Sequence, residues 1–457
     1  MITKEITNWD LQYDVIIAGG GTTGCCAAIA AARHGAKTLL VEKMPFCGGN
    51  MSSGLPWLAF HAQQSGELVV DGIPMEIIRR LQSTGGATNF VFDPITGSGV
   101  GVNGTMLKMI LVRMLREASV DILLHTIISG VKTLNGRYKA IIITNKQGSQ
   151  MIQSKTLVDC TDSADAAVMA GGRFILGRES DSKRQVSSNI MFFGDIDFSE
   201  MLQYFEAHPD QIRPFKLSDE VLTRLLKQMY TAPIFVLGAF SDIISAAKEN
   251  GLNYQRDKLI GVAYTDNHEL MLVASRVNDV DVNDIRNHSN AELDGMDQTW
   301  GILELLHQYI PGCKRARLVS CGAQLGIRET RHIEGDYLLT AQNLMEGGGF
   351  VDTICRGGYH MDIHSPDYAG LNTLQPPIYG VPYRSLLVKG VDGILVAGRG
   401  ISATHEAMSS TRVAPISAAM GQAAGTAAAL SIQQNLSLRE IAVSELRDML
   451  KKDCAIV

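Results

Sequence analysis

The chain has no cluster of lysines and arginines, and its formal net charge is −6 over 457 residues. Binding along a nucleic-acid backbone needs clustered positive charge. Isolated pairs such as Arg79-Arg80 and Lys451-Lys452 do not supply it, so no nucleic-acid partner is expected. The same absence disfavours a membrane surface, and no apolar run reaches the roughly eighteen residues a bilayer demands. The opening MITKEITNWD lacks a basic stretch followed by an apolar core, which argues against export and for a cytoplasmic protein. Low-complexity tracts are missing too, and with 46% hydrophobic and 19% charged residues the composition is that of a globular chain. Among the eight cysteines no C-x-x-C ladder occurs that would hold zinc or an iron–sulfur cluster, so no metal is expected and the thiols read as reduced. The cysteines lie in apolar or glycine-rich surroundings, and Cys47 is the one of note because it sits beside the second glycine-rich loop; a small packing residue is its simplest role. The length predicts two or three domains.

What is present is concentrated at the two ends. Tyr13 to Ala18 (YDVIIA) reads as a buried strand, followed by Gly19-Gly20-Gly21-Thr22-Thr23-Gly24 and the helix pattern CCAAIAAARHGA. Gly19 permits a tight turn, Gly21 lets the backbone approach a pyrophosphate, and Gly24 lets the helix lie close on the strand. The helix start, with Thr22 and Thr23, then turns unpaired N–H groups toward phosphate. Gly35 ends the helix, and a second strand, Lys37 to Val41, delivers Glu42 where a carboxylate meets a ribose diol. Lys43 opens a second loop, KMPFCGGNMSSG, in which Gly48 and Gly49 allow backbone approach and Asn50, Met51 and Ser52 continue along the same ligand.

These features resemble the FAD-dependent oxidoreductases of the glutathione-reductase-like Rossmann group, and more narrowly the FAD-dependent oxidoreductase family related to fumarate reductase flavoproteins. The resemblance extends through Leu123–Val131 (LLHTIISGV), Asn135–Ile143 and Leu157–Gly171 (LVDCTDSADAAVMAG), where Asp162 stands at a position the pattern usually gives to glycine. It continues through GIRETR (326–331), RGGYHMDIH (356–364), VPYRSL (381–386) and the long block from Val391 to Leu430. It implies FAD as cofactor, with Ile128, Thr161, Asp162, Gly398, Arg399, Val413 and Ala414 added to the cofactor-binding residues. Some relatives attach the flavin through a histidine near the second glycine pair. CGGNMSSG contains none, so the FAD is expected to be non-covalent.

The fold expected is α/β: a discontinuous three-layer FAD-binding Rossmann-like domain formed by residues 1–176 and 346–457, with an α+β cap or substrate domain inserted at 177–345. The inserted part has longer helical patterns, SDEVLTRLLKQMY and WGILELLHQYI, and no nucleotide motif. The late strand GILVA, the turn Gly398-Arg399-Gly400 and the small-residue helix from Pro415 return the chain to the first sheet. No second strand-GxGxxG-helix unit exists, so no dedicated NAD(P)H domain is expected.

Candidates for proton and charge chemistry are His405, beside Glu406 after the GRG turn, and Arg412 before the late helix. Tyr383, Arg384, His360 and His364 form a second group. Arg328, Glu329 and Arg331 read as a mutual ion-pair network, and His61 as a core histidine. The expected activity is hydride transfer between flavin N5 and a small molecule, at a C–H beside an alcohol or amine or at a conjugated C=C bond. A flavin-dependent RNA-modifying protein and a non-catalytic dinucleotide-binding protein are the alternatives. The electron donor or acceptor is not named by any motif, and homo-oligomerisation is left open.

Overall fold

The computed structural model describes residues 12–94, 96–212, 218–368 and 372–457; the opening decapeptide read above lies outside them. Strand β1 (Gln12–Ala18) leads through the glycine turn into α1 (Thr22–Arg33) and back to β2 (Thr38–Val41), which lies parallel to β1. Burial explains the composition. Every residue of β2 and nearly every residue of β1 is covered, as a parallel strand with helices over its faces requires. Helix α2 (Gly104–Glu117), capped by Asn103, precedes β3 (Asp121–Leu123), which joins β2 in parallel. An antiparallel meander follows: β4 (Ile127–Leu134), β5 (Arg137–Asn145) and β6 (Gly148–Asp159). The far half of β6 turns parallel to β1, so the sheet order is β3-β2-β1-β6-β5-β4.

The next segment builds a separate antiparallel sheet of five strands. These are β7 (Met191–Gly194), β8 (Ile234–Ala239), β9 (Leu259–Tyr264), β10 (Glu269–Leu272) and β11 (Arg317–Cys321), ordered β8-β9-β10-β7-β11. One face carries Phe193, Phe235, Leu237, Ala263, Leu270 and Leu272 into a core with its own helices, among them α3 (Ile285–Tyr309). The chain then returns. Strand β12 (Ile394–Val396) pairs in parallel with the end of β6, completing a seven-stranded sheet, and is followed by α4 (His405–Thr411) and α5 (Ala414–Gln434).

Helix α5 is buried from Pro415 to Ser431 and packs on α1. A Cβ at Gly421 would sit 2.1 Å from the Thr23 carbonyl oxygen, and one at Gly425 2.0 Å from that of Ala27. Only glycine lets two backbones approach so closely, which is why both helices are rich in small residues. The architecture is mixed α/β around a Rossmann-like parallel sheet. No helix among the described residues is long and apolar enough to cross a membrane.

Candidate active site

The carboxyl ends of β1 and β6 and the start of α1 meet at one cavity of about 370 Å³. Gly19 turns the chain at φ +93°, and a Cβ there would lie 2.6 Å from the Cys160 carbonyl oxygen. Gly24 is tighter still, at 1.9 Å from the Gly19 oxygen. Gly21 differs: it begins α1 with ordinary extended angles and no side-chain cap, and nothing stands within 4 Å of the Cβ it lacks. The open space beside it is the cavity. The second loop is laced to the first, since the Gly48 N–H donates to the Gly20 carbonyl at 2.7 Å and a Cβ at Gly49 would lie 3.4 Å from the Gly21 Cα. Gly48 (φ +108°) and Gly49 (φ +53°) both need the left-handed region. Helix α5 also starts without a side-chain cap, at Val413, and Val413 and Ala414 line the same cavity. Two uncapped helix N-termini around one space, with room at Gly21 for an approaching group, fit the diphosphate of a dinucleotide.

The remaining cofactor candidates divide. Thr22, Thr23, Asn50, Met51, Asp162 and Arg399 line the cavity. Asp162 takes the left-handed conformation, φ +69°, that glycine would adopt at its position, and its carboxylate pairs with Arg399 at 2.9 Å. Glu42 is buried, and its two oxygens accept from the Gly20 N–H (2.5 Å) and the Met44 N–H (2.7 Å). Its visible work is to tie the two loops together, with a lone pair left on each oxygen for a further donor. Burial raises its pKa against those two hydrogen bonds. Four further candidates, like Glu42 and Gly398, do not line the cavity. Lys43 is exposed, and Ile128 packs beside the first sheet. The Ser52 hydroxyl donates to the Gly49 carbonyl at 2.6 Å. That of Thr161 donates to Asp159 at 2.7 Å and accepts from the Asp165 N–H at 2.9 Å. Gly398 turns the chain into the cavity rim at φ +94°.

The other half of the cavity holds a cluster centred on Asp362. Its carboxylate receives His364 Nε2 at 3.1 Å and Arg412 Nη2 at 3.0 Å, and His360 Nε2 stands 3.9 Å away. Burial alone would raise its pKa; His364, Arg412 and His360 together hold it well below the usual carboxylate range. Burial and Arg328 push His364 down to about 3, so it is a neutral imidazole near neutral pH. Arg328 donates to the Val186 carbonyl (2.7 Å) and to the Ser188 hydroxyl (2.8 Å), and Arg256 reaches the same hydroxyl at 2.8 Å. Among the described residues no carboxylate lies within ion-pair distance of Arg328. Burial, Arg256 and Arg412 depress its pKa, yet a guanidinium stays protonated. The cluster therefore holds positive charge in excess, on the wall of a cavity.

Three of the residues read as catalytic candidates stand elsewhere. His405 is buried with Nδ1 at 2.9 and 2.8 Å from the two oxygens of Glu329, which also takes His332 Nε2 at 3.0 Å. The ring is bound inside the protein, away from the cavity. Tyr383 donates to the Leu438 carbonyl at 2.8 Å, and Arg384 makes a two-point pair with Asp352 at 2.9 and 3.1 Å. Both are structural contacts within the returning part of the chain. His360, His364 and Arg412 do line the cavity. The GIRETR segment is not a mutual ion-pair network: Arg328 faces the cavity, Glu329 binds two histidines, and Arg331 holds the Ser163 carbonyl (2.9 Å) and Asp165. His61 is half-buried with Nδ1 3.0 Å from the Ser98 hydroxyl, and Cys47 is buried in the main core. Asp362 and Arg256 were not singled out by the sequence; a carboxylate flanked by two histidines in HMDIH was the available sign.

The chain belongs to the FAD dependent oxidoreductase family, whose profile matches residues 14–450. It is therefore an enzyme, and its cofactor is FAD. No curated protein matches it. Solved structures similar to it include a geranylgeranyl bacteriochlorophyll reductase-like protein from Thermoplasma acidophilum (TM-score 0.47, 11% identity, 97% of this chain and 84% of that one). The OxyS anhydrotetracycline hydroxylase from Streptomyces rimosus follows at 0.46 and 12%, over 96% of this chain and 64% of that one. A p-nitrophenol 4-monooxygenase, PnpA, from Pseudomonas putida DLL-E4 gives 0.44 and 10%, over 96% and 84%. None of these likenesses bears on the substrate of this chain.

Proposed function

We propose that this FAD-dependent enzyme passes a hydride between flavin N5 and a small substrate carrying an anionic group, at a C–H beside an alcohol, amine or carbonyl or at a conjugated C=C bond. One observation carries the reading: Arg328 lies half-buried on the cavity wall with Arg256 and Arg412 near it and, among the described residues, no carboxylate within ion-pair distance. A substrate carboxylate or similar anion relieves that charge, and a guanidinium binds it in two-point fashion. FAD, when bound, supplies the two-electron chemistry. In this reading Gly21, Gly48, Gly49 and the start of α1 hold the diphosphate, and Asp162 and Arg399 border it. Arg328 and Arg412 fix the substrate's charged end. His360, beside Asp362 and packed on Tyr359 at 4.1 Å between ring centres, gives or takes the proton that accompanies hydride transfer. The absence of histidine from residues 47–54 supports non-covalent attachment. Residues 177–345, which carry the five-stranded sheet, are read as the substrate domain inserted between the two parts of the FAD domain, 1–176 and 346–457.

The test is an anaerobic screen of oxidisable metabolites that follows loss of oxidised flavin absorbance. Anionic compounds should bleach the flavin and their neutral esters should not, and Arg328→Gln should raise KM about 30-fold or more, since losing a buried charged contact costs about 2–5 kcal/mol. Equal bleaching by acids and their neutral esters would defeat the reading.

A further inference from the structure

The cavity's other wall is the five-stranded sheet, and its side chains describe the rest of the ligand. Side chains alternate across a strand, and the core-facing set is already accounted for by Phe235, Leu237, Ala263 and Leu270. The opposite set is apolar as well. Val236, Val262 and Met271 stand opposite one another across β8, β9 and β10, making one row. Gly238 and Ile260 pair in the next row, and the Val273 N–H donates to the Ile260 carbonyl at 3.0 Å to extend it. All six residues line the cavity. Val236, Ile260 and Val273 remain half-exposed toward it, although an antiparallel sheet with open space on one side normally alternates apolar with polar. Gly238, with no side chain, leaves a gap in the second row.

We infer that the substrate is an amphiphile: an anionic head at the Arg328–Arg412 pole and an extended aliphatic body lying on the floor formed by β8, β9 and β10. The inference rests on the anion reading above and goes beyond it by naming the body. The two rows themselves are aliphatic and offer no hydrogen-bonding side chain; Lys258, just before β9, lines the cavity beyond their edge and is paired with Asp257 at 3.5 Å, so polar substituents along the rows would lose their water without replacement. Alkyl length is rewarded instead. Each buried methylene improves binding about three- to fourfold.

Isothermal titration of the oxidised holoprotein with butanoate, hexanoate, octanoate and decanoate, together with 1-octanol, reads this without turnover. The expected result is affinity that climbs stepwise with chain length, with 1-octanol well below octanoate. Gly238→Ile, which fills the gap in the floor, should weaken octanoate and decanoate at least tenfold while butanoate is unchanged. Val262→Asp should flatten the whole length series. A series flat in the unaltered protein overturns the aliphatic body and leaves the anion reading intact. Length dependence with octanol equal to octanoate overturns the anionic head, and with it the reading on which the inference rests.

Discussion

Two glycines three residues apart should separate folding from cofactor binding. Gly21 has extended angles, φ −62° and ψ 176°, and open space where a side chain would go. Gly21→Val therefore costs the flavin-free protein little. Loss of a glycine N-cap is worth about 0.5–1 kcal/mol, and the reduced freedom of the unfolded chain returns about 0.4–1 kcal/mol. The net change should stay within about 0.5 kcal/mol. In the holoprotein the branched side chain enters the space the diphosphate needs, and forced overpacking of about 1–3 kcal/mol corresponds to a tenfold to hundredfold loss of FAD affinity. Gly24→Ala is the opposite case. Its Cβ would stand 1.9 Å from a backbone oxygen that cannot move without opening the turn. The flavin-free protein itself should lose about 2 kcal/mol or more. Urea unfolding of deflavinated protein and fluorescence titration with FAD give the two quantities independently. If Gly21→Val bound FAD like the unaltered protein, or unfolded as Gly24→Ala does, the assignment of this loop would be wrong.

The close crossing of α1 and α5 makes Gly425→Ala costly by about 1–3 kcal/mol, read as a lower urea midpoint and a poorer yield of yellow protein. Glu329 is held at about 2 because His332 and His405 outweigh its burial. Its folded pKa lies below the ordinary 4.5, so the stability it contributes is complete above 4.5 and disappears as pH falls toward 2. Glu329→Gln should remove about 3–5 kcal/mol at neutral pH and flatten that acid limb in pH-dependent unfolding. Reduction of the bound FAD by NADH or NADPH should be slow beside reduction by the substrate, because one glycine turn cannot also position a nicotinamide. Anaerobic stopped-flow mixing checks this, and saturable reduction at turnover rates would contradict it.

The cofactor half of the site is legible in the sequence because its determinants are local. Strand, turn, small-residue helix and acidic strand end follow one another from Tyr13 to Glu42, and β12 with α5 repeats the pattern. Asp162 shows how a side chain can adopt the glycine conformation its position demands, with Arg399 holding it there. The half proposed to hold the substrate is not legible, since Arg256, Arg328, Asp362 and Arg412 come from four separate segments and meet only after folding. The GIRETR segment is instructive. Alternating charges in one short stretch suggest mutual pairing, but successive residues of an extended chain point to opposite sides. Arg328 therefore faces the cavity while Glu329 faces the interior and takes His405 away from it. Tyr383 and Arg384 carry chemically versatile groups, and only the positions of Leu438 and Asp352 reveal that both are already engaged.

The most direct measurement is to denature the purified yellow holoprotein and identify what leaves it. Intact FAD in the soluble fraction, in stoichiometric amount and with none retained on the polypeptide, is the expected result. Flavin that stays with the precipitated chain, FMN in place of FAD, or a colourless protein that does not take up FAD would contradict it.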